Sequence, residues 1–313
     1  MFSKLKNFLN AKQEDMQSDA LVPRFETLLG MKKEVLFLKS FAFRQSSNLA
    51  GNARSAFKGR GIEFEEIRPY QFGDDVRDID WRVTARKNQP FTKLYMEEKD
   101  REVYIFVDLS KKMFFGTVKE LKSVTAAKIA ALLGFYALSY KDRVGFVLYD
   151  GHQTFIFEAR RQYDYFLSVL KKIEEICVQN LYQDVPNAQS LTQSLALFEK
   201  KAPKYAVLFI ISSFDAYHQE LVKQLSALML VREVYLIDIF DKLEAVCPPK
   251  GVYAAEYDNM REYIENTGKV YEKEYQAYFE NKRKILKNLC LKHHNHYRPV
   301  QTDLSLCNQI QPI

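Results

Sequence analysis

This 313-residue chain lacks any pair of cysteines close enough to read as a ligand or redox motif. Its four, Cys177, Cys247, Cys290 and Cys307, stand far apart and form no Cys-x-x-Cys. A disulfide or zinc framework is therefore not expected, and a reduced, cytoplasmic setting is the simpler reading. Charges interrupt every apolar run before it reaches the length of a membrane span. The leading MFSKLKNFLNAKQEDM has no apolar stretch running into a small-residue cleavage site, so it does not read as a secretory signal. Neither Gly-x-x-x-x-Gly-Lys-Ser/Thr nor Gly-x-Gly-x-x-Gly follows a strand, which argues against nucleotide binding. Repeats and low-complexity tracts are missing too. His152 and His218 are isolated, and no nucleophile–base arrangement can be defended. His293, His294 and His296 with Cys290 lack a second ligand pair at zinc spacing and read as a solvated helix end. What the chain does have is apolar: 47% hydrophobic and 14% aromatic residues, enough for a substantial core.

The net charge of +6 is unevenly placed. Residues 1–60 hold eleven basic side chains against five acidic ones, so this segment carries the whole excess. A basic leader suits acidic lipid, nucleic acid or an acidic protein face. A solvated lysine-rich helix is the simpler reading, and no recognition motif supports nucleic acid. Peripheral membrane contact stays open. Phe2, Leu5, Phe8 and Leu9 share one helical face, and a second helix is predicted from Pro23 through Leu38. Ser46–Asn48 and Gly51–Asn52 read as loop.

From Gly59 to Arg86 carboxylates interleave with guanidinium groups: Glu63, Glu65, Glu66, Asp74, Asp75, Asp78 and Asp80 among Arg68, Arg77, Arg82 and Arg86. Gly73-Asp74-Asp75 is a turn signal, and Ile79 and Trp81 alternate with Asp80 and Arg82 as in a half-buried strand. This pattern reads as bidentate pairs that clamp a non-repetitive segment. The rival is an acidic metal cluster of a phosphoesterase-like enzyme using Asp74, Asp75, Asp78 or Asp80. Carboxylates holding a metal would converge without adjacent arginines, so the clamp is preferred.

Phe91–Met96 is a predicted strand leading into the central one, Val103–Val107, which ends on Asp108 and Ser110. Open α/β sheets keep their sites in the crevice beyond the carboxyl ends of the strands. A largely buried helix over 118–140, strand Arg143–Tyr149, an Asp150-Gly151 hairpin and a return strand Thr154–Phe157 follow. Helices over Tyr163–Val178 and Leu191–Phe198 come next, then strand Ala206–Ile211, helix Glu220–Leu230 and strand Glu233–Ile237. A last strand near Gly251–Ala255 precedes a helix over Val270–Leu291. The alternation predicts an α/β fold with a mainly parallel sheet covered on both faces.

Strand, Asp-x-Ser loop, long helix, Asp-Gly hairpin and further strand units resemble a von Willebrand factor A-type domain. The preceding block narrows the likeness. Gly59-Arg60-Gly61, Arg68-Pro69-Tyr70, Gly73-Asp74-Asp75-Val76-Arg77, Ile79-Asp80-Trp81 and Ala85-Arg86 resemble the hallmark of the bacterial "domain of unknown function 58" family. So do the spacing to Val107–Ser110 and Asp238 with Lys242-Leu243-Glu244, Pro248 and Gly251. The resemblance runs from about residue 24 to the C-terminus and divides the chain into a helical leader (1–58), the signature block (59–101) and a von Willebrand A-like, Rossmann-like domain (102–313). It implies no known catalysis, and partnership with a MoxR-type AAA+ ATPase and other von Willebrand A-type proteins in assembly or chaperone-like maturation. It also implies a metal-ion-dependent adhesion site, where an Asp-x-Ser-x-Ser loop, a threonine and a later aspartate hold Mg²⁺. Asp108 and Ser110 match, but Lys112 replaces the second serine and Ser213 the later aspartate. The threonine position falls at Ser190 or Thr192, and Asp215 comes two residues too late to substitute. Mg²⁺ beside an added lysine meets Coulomb repulsion of about 4 kcal/mol per unit charge at near contact. The expectation is a degenerate site without metal or other cofactor, in which Lys112 snorkels to solvent, pairs internally with Asp108 or Asp215, or serves as the cation that meets a partner's carboxylate.

Overall fold

The computed structural model describes residues 19–38, 62–97, 102–182, 188–215, 218–257, 260–266 and 268–310. The amphipathic leader, the Ser46–Asn52 loop, Gly59 and Gly61 lie outside them. The chain divides into two compact units, residues 43–100 and the remainder. Helix α1 (Phe25–Glu34) belongs to the larger unit and gives way to a 3-10 turn at Val35–Phe37. It buries Leu28 completely.

In the smaller unit, β1 (Ile62–Pro69) pairs antiparallel with β2 (Phe91–Glu97), with one bulge between Phe64 and Glu66. The hairpin connection turns at Gly73 (φ +108°) and passes through a 3-10 turn at Val76–Asp78 into helix α2 (Trp81–Lys87). The half-buried strand expected around Trp81 is therefore not there. Asp80 decides this locally: its Oδ1 accepts from the N–H groups of Arg82 at 2.9 Å and Val83 at 3.1 Å. A capped first turn outweighs a four-residue alternation, and only Ile79 keeps a bridge, to Thr92. Trp81 is 67% exposed rather than buried.

The larger unit is a six-stranded sheet in the order β10-β7-β6-β3-β4-β5. Its strands are β3 (Glu102–Asp108), β4 (Arg143–Tyr149), β5 (Thr154–Arg160), β6 (Val207–Ser212), β7 (Glu233–Phe240) and β10 (His296–Gln301). Only the β4–β5 pairing is antiparallel, as the Asp150-Gly151 signal predicts. The apolar runs of β3, β6 and β7 are buried on both faces, as parallel strands under helices must be. Tyr104, Phe106, Leu208, Ile210, Val234 and Leu236 form one core with helices α5 (Leu191–Lys201), α6 (Gln219–Met229) and α8 (Lys269–Lys292). The opposite face meets α3 (Lys122–Ser139) and α4 (Tyr163–Tyr182), whose Phe166 stacks on Phe146 of β4 at 5.7 Å.

Two departures lie at the C-terminal end. The strand expected near Gly251 is β8 (Gly251–Tyr257), which pairs with an unexpected β9 (Met260–Asn266) in a hairpin of its own. The sixth strand of the main sheet is β10, where a solvated helix end was expected. Its sequence, His-Tyr-Arg-Pro-Val-Gln, fully buries only Val300 and contains a proline, both tolerable at a sheet edge.

Candidate functional site

Asp108 ends β3 at the carboxyl edge of the sheet and is 4% exposed. Both its oxygens are engaged. Oδ1 accepts the Ser110 N–H at 3.0 Å, and Oδ2 accepts the Ser212 hydroxyl, from the end of β6, at 2.6 Å. Burial pushes the Asp108 carboxyl up; these serine donors pull against it, and the nearby charge of Asp215 adds to the rise. The loop after β3 is pinned by Asn180 of α4, whose amide donates to the carbonyls of Leu109 and Asp150, each at 2.8 Å.

After β6 the chain makes a tight turn through buried Phe214, at φ +50°, whose N–H bonds the Ser212 hydroxyl at 3.1 Å. This left-handed residue brings Asp215 back toward the crevice, which a count along an extended chain puts out of reach. Asp215 there joins two lysines. Its Oδ2 lies 2.9 Å from Lys122 Nζ and its Oδ1 3.1 Å from Lys282 Nζ. Lys122, the first residue of α3, is 1% exposed and also donates to Glu244 Oε1 at 2.7 Å. Lys282 of α8 reaches the Ser213 carbonyl at 2.7 Å and lies 3.6 Å from Asp238 Oδ1. Asp238, in β7, accepts a 2.6 Å bond from the Tyr297 hydroxyl of β10.

Glu244 belongs to the short helix α7 (Lys242–Ala245), where it completes a capping box with Asp241. Asp241 in turn accepts from the N–H and hydroxyl of Thr117, in the loop before α3. Five carboxylates, Asp108, Asp215, Asp238, Asp241 and Glu244, thus share the carboxyl edge with two ammonium groups.

Burial disfavours every charge here, so direction shows which partner wins. For Lys122 burial is outweighed by Asp215 and Glu244, and for Lys282 by Asp238 and Asp215, so both lysines hold their protons more firmly than free lysine. Asp215 is held low, because the two lysines outweigh its burial. For Glu244 and Asp238 burial prevails over the lysines, and both carboxyls rise.

Magnesium wants an octahedron of free oxygen donors. Asp108 has spent both oxygens, Ser213 offers its carbonyl to Lys282, and two ammonium groups stand among the remaining carboxylates. The donor set does not fit the ion. Lys112 lies half-buried in the 3-10 turn Lys111–Met113 that follows Ser110. Ser190 is exposed and caps α5 through Gln193, whereas the neighbouring Thr192 is buried with its hydroxyl 3.3 Å from His218 Nε2. Sequence reasoning missed Lys122 and Lys282. A signal existed for the second: Lys282 shares the buried face of α8 with Phe279, Leu286 and Leu289.

In the smaller unit the aspartates do separate work. Asp74 pairs with Arg68 at 2.7 Å and accepts the Gln71 N–H, Asp75 accepts the Arg77 N–H, and Asp80 caps α2 and lies 3.4 Å from Lys93. Among the described residues no group of three or more His, Cys, Asp or Glu side chains is arranged to hold a metal ion. Arg77, Trp81, Arg82 and Arg86 point to the surface.

A family model described as "Protein of unknown function DUF58" matches residues 66–284. Uncharacterized protein Rv1480 of Mycobacterium tuberculosis and uncharacterized protein Mb1516 of Mycobacterium bovis are each 35% identical over 103 residues. That stretch is 33% of this chain and spans about a third of those relatives, 32% of their length. Among solved structures, the conserved hypothetical protein BatB from Bacteroides thetaiotaomicron aligns at TM-score 0.43 and 14% identity, over 67% of this chain and 93% of that one. An aerotolerance-related membrane protein from Bacteroides fragilis aligns at TM-score 0.42 and 14% identity, over 67% and 96%. Likeness that low carries no argument about fold or function.

Proposed function

The chain belongs to the family of proteins of unknown function DUF58, and from that premise we propose that it is a non-catalytic protein-interaction module. In this reading the larger unit is a von Willebrand A-like scaffold with a degenerate adhesion site. It acts in the cytoplasm with a MoxR-type AAA+ ATPase, and with other von Willebrand A-type proteins, in assembly or maturation. Buried Lys122 carries the reading. A hydrolytic centre keeps a carboxylate free to act as base or to hold a metal, whereas the crevice carboxylates here are committed to lysines, hydroxyls and helix caps. Built-in ammonium groups supply the positive charge that a dication would otherwise bring. A partner's acidic side chain then docks at the rim, at half-buried Lys112 beside the buried Ser110, with no metal between.

The test is association of the full chain with the MoxR-type ATPase, measured with ATP, in Mg²⁺ and in EDTA. Binding should persist in EDTA and weaken with salt, since a rim ion pair is screened over about 8–10 Å at ordinary ionic strength. Lys112→Glu should reduce it. Absence of association, or its loss in EDTA, overturns the reading. A Mg²⁺-dependent phosphoesterase activity abolished by Asp78→Asn would favour instead the enzyme built on Asp74, Asp75, Asp78 and Asp80.

A further inference from the structure

β6, β7 and β10 run parallel, so the loops that lead into them emerge together, at the edge of the sheet opposite Asp108. The six residues of β6 set the two edges about 20 Å apart. Side chains join these loops into one surface. Arg232, just before β7, is 8% exposed and donates to the carbonyls of Ala202 at 2.8 Å, Pro203 at 3.0 Å and Glu199 at 3.1 Å. Asn295, just before β10, donates to the Met229 carbonyl at 3.2 Å and accepts the Val234 N–H at 2.6 Å. Val207 pairs with Glu233, so Tyr205 and Val231, each two residues ahead, enter neighbouring strands at the same level. The joined loops expose Tyr205 at 95%, Leu230 at 69% and Val231 at 48%.

Lysines accompany these apolar side chains. Lys200, Lys201, Lys204 and Lys292 are exposed and have no ion-pair partner among the described residues. Residues 199–205, 229–233 and 291–295 hold five basic side chains against two acidic ones, a net charge of +3. Both acids are engaged: Glu199 accepts from the Gln224 amide at 2.6 Å and Glu233 from the Tyr235 hydroxyl at 2.7 Å. The residues preceding β3 and β4, 98–101 and 140–142, are each neutral and leave the excess standing. Nucleic acid would answer the lysines but offers no apolar medium to Leu230 and Val231. A bilayer with anionic headgroups answers both. We propose that this edge of the larger unit docks on an anionic phospholipid surface. Leu230 and Val231 reach the acyl boundary, Tyr205 lies among the headgroups, and the lysines meet the phosphates. The crevice then faces away from the bilayer. The inference does not rest on the ATPase reading, since it uses the other end of the sheet.

Flotation of the full chain with lipid vesicles tests this. The chain should bind vesicles of phosphatidylcholine and phosphatidylglycerol in equal parts, ignore phosphatidylcholine alone, and dissociate as salt rises. Lys201→Glu together with Lys204→Glu should weaken binding by roughly tenfold or more, since each lysine near such a surface contributes about fivefold. Leu230→Ser should weaken it about threefold to tenfold and leave the salt dependence unchanged. All three positions are exposed, so melting should stay at the wild-type temperature, and either variant remains readable if the other fails to fold. A wild-type chain that binds neither vesicle overturns the proposal. So does vesicle binding indifferent to both variants, which assigns the contact to another basic surface such as the leader. Binding weakened by the charge reversal but not by Leu230→Ser also overturns it, and leaves a general polyanion surface in its place.

Discussion

Replacing Lys122 with methionine keeps the aliphatic stem and removes the ammonium that bridges Asp215 and Glu244. Removing one member of a buried ion pair typically costs about 3–5 kcal/mol, because the other charge is left uncompensated. Here the loss is softened: Asp215 retains Lys282 at 3.1 Å, and the side chains of Asp215 and Glu244 are 32% and 24% exposed. The lower end, about 2–3 kcal/mol, is therefore expected. In a unit of this size each kcal/mol moves the melting temperature by about 2–4 °C, so Tm should fall by about 5–10 °C. Circular dichroism melts at pH 7 read this directly. Two controls isolate the charge. The gap to wild type should narrow at pH 5, because without Lys122 both carboxyls take up protons more readily. Adding Glu244→Gln to the variant should restore part of the stability, since Asp215 still has Lys282 as its partner. A Lys122→Met protein that melts with the wild type would refute the network as an energetic unit, and so would equal losses at pH 7 and pH 5.

Alkaline unfolding should expose the same two lysines. Their folded-state affinity for protons is raised above the ordinary 10.5, so the stability they add is fully present below that pH and is lost as pH climbs beyond it. Urea midpoints should accordingly decline above about pH 10.5 in wild type and decline less in Lys122→Met. Titration calorimetry with Mg²⁺ should give no binding heat for the unmodified chain; tight binding would show that the lysines do not replace the ion. Gly134→Ala in α3, ordinarily favourable in a helix, should instead destabilise by about 1–3 kcal/mol, because the added Cβ would collide with the Phe166 ring. A melt at or above the wild-type temperature would mean that α3 and α4 can part cheaply.

Most of the sheet was legible because parallel strands announce themselves: Val103–Val107 and Val207–Ile211 are unbroken apolar runs ending on polar loops, and Asp150-Gly151 could hardly be anything but a turn. The alternation at Ile79–Arg82 misled because four residues fit a strand and a capped helix start equally well, and Asp80 chose the cap. β10 was hidden by its own composition, since an edge strand needs little burial and so carries little apolar signal. The site was legible only where it lies on strands. Asp108 and Ser110 follow from a strand end, but Lys122 begins a helix in which a lysine attracts no notice. Lys282 stands in a helix crowded with charge, and only its register against Phe279 and Leu286 distinguishes it from its solvated neighbours. Asp215 depends on a single left-handed residue, Phe214, a conformation that phenylalanine does not advertise.

Buried ion pairs are weak evidence for stability, since desolvating both partners often cancels their attraction. Something other than net stability must explain why two lysines are kept at this edge of the sheet. The partners point to placement. Lys122 opens α3, Asp215 follows β6, Glu244 caps α7, and Lys282 comes from α8, so one charge network fixes four elements against each other. It also fixes the rim. Asp241, in the same capping box as Glu244, holds Thr117, and the Lys122 N–H donates to the Phe115 carbonyl at 2.9 Å. Gly116 between them leaves no room for a side chain, because a Cβ would strike the backbone of Glu120 and Leu121. The loop from Ser110 to Leu121 is therefore tied at several points. Ordering such a loop on binding would otherwise cost affinity, so a rim fixed in advance lets a modest contact hold. If this rim receives a partner as proposed, an interior charge network that adds little to folding is reasonable for a surface that must keep one shape.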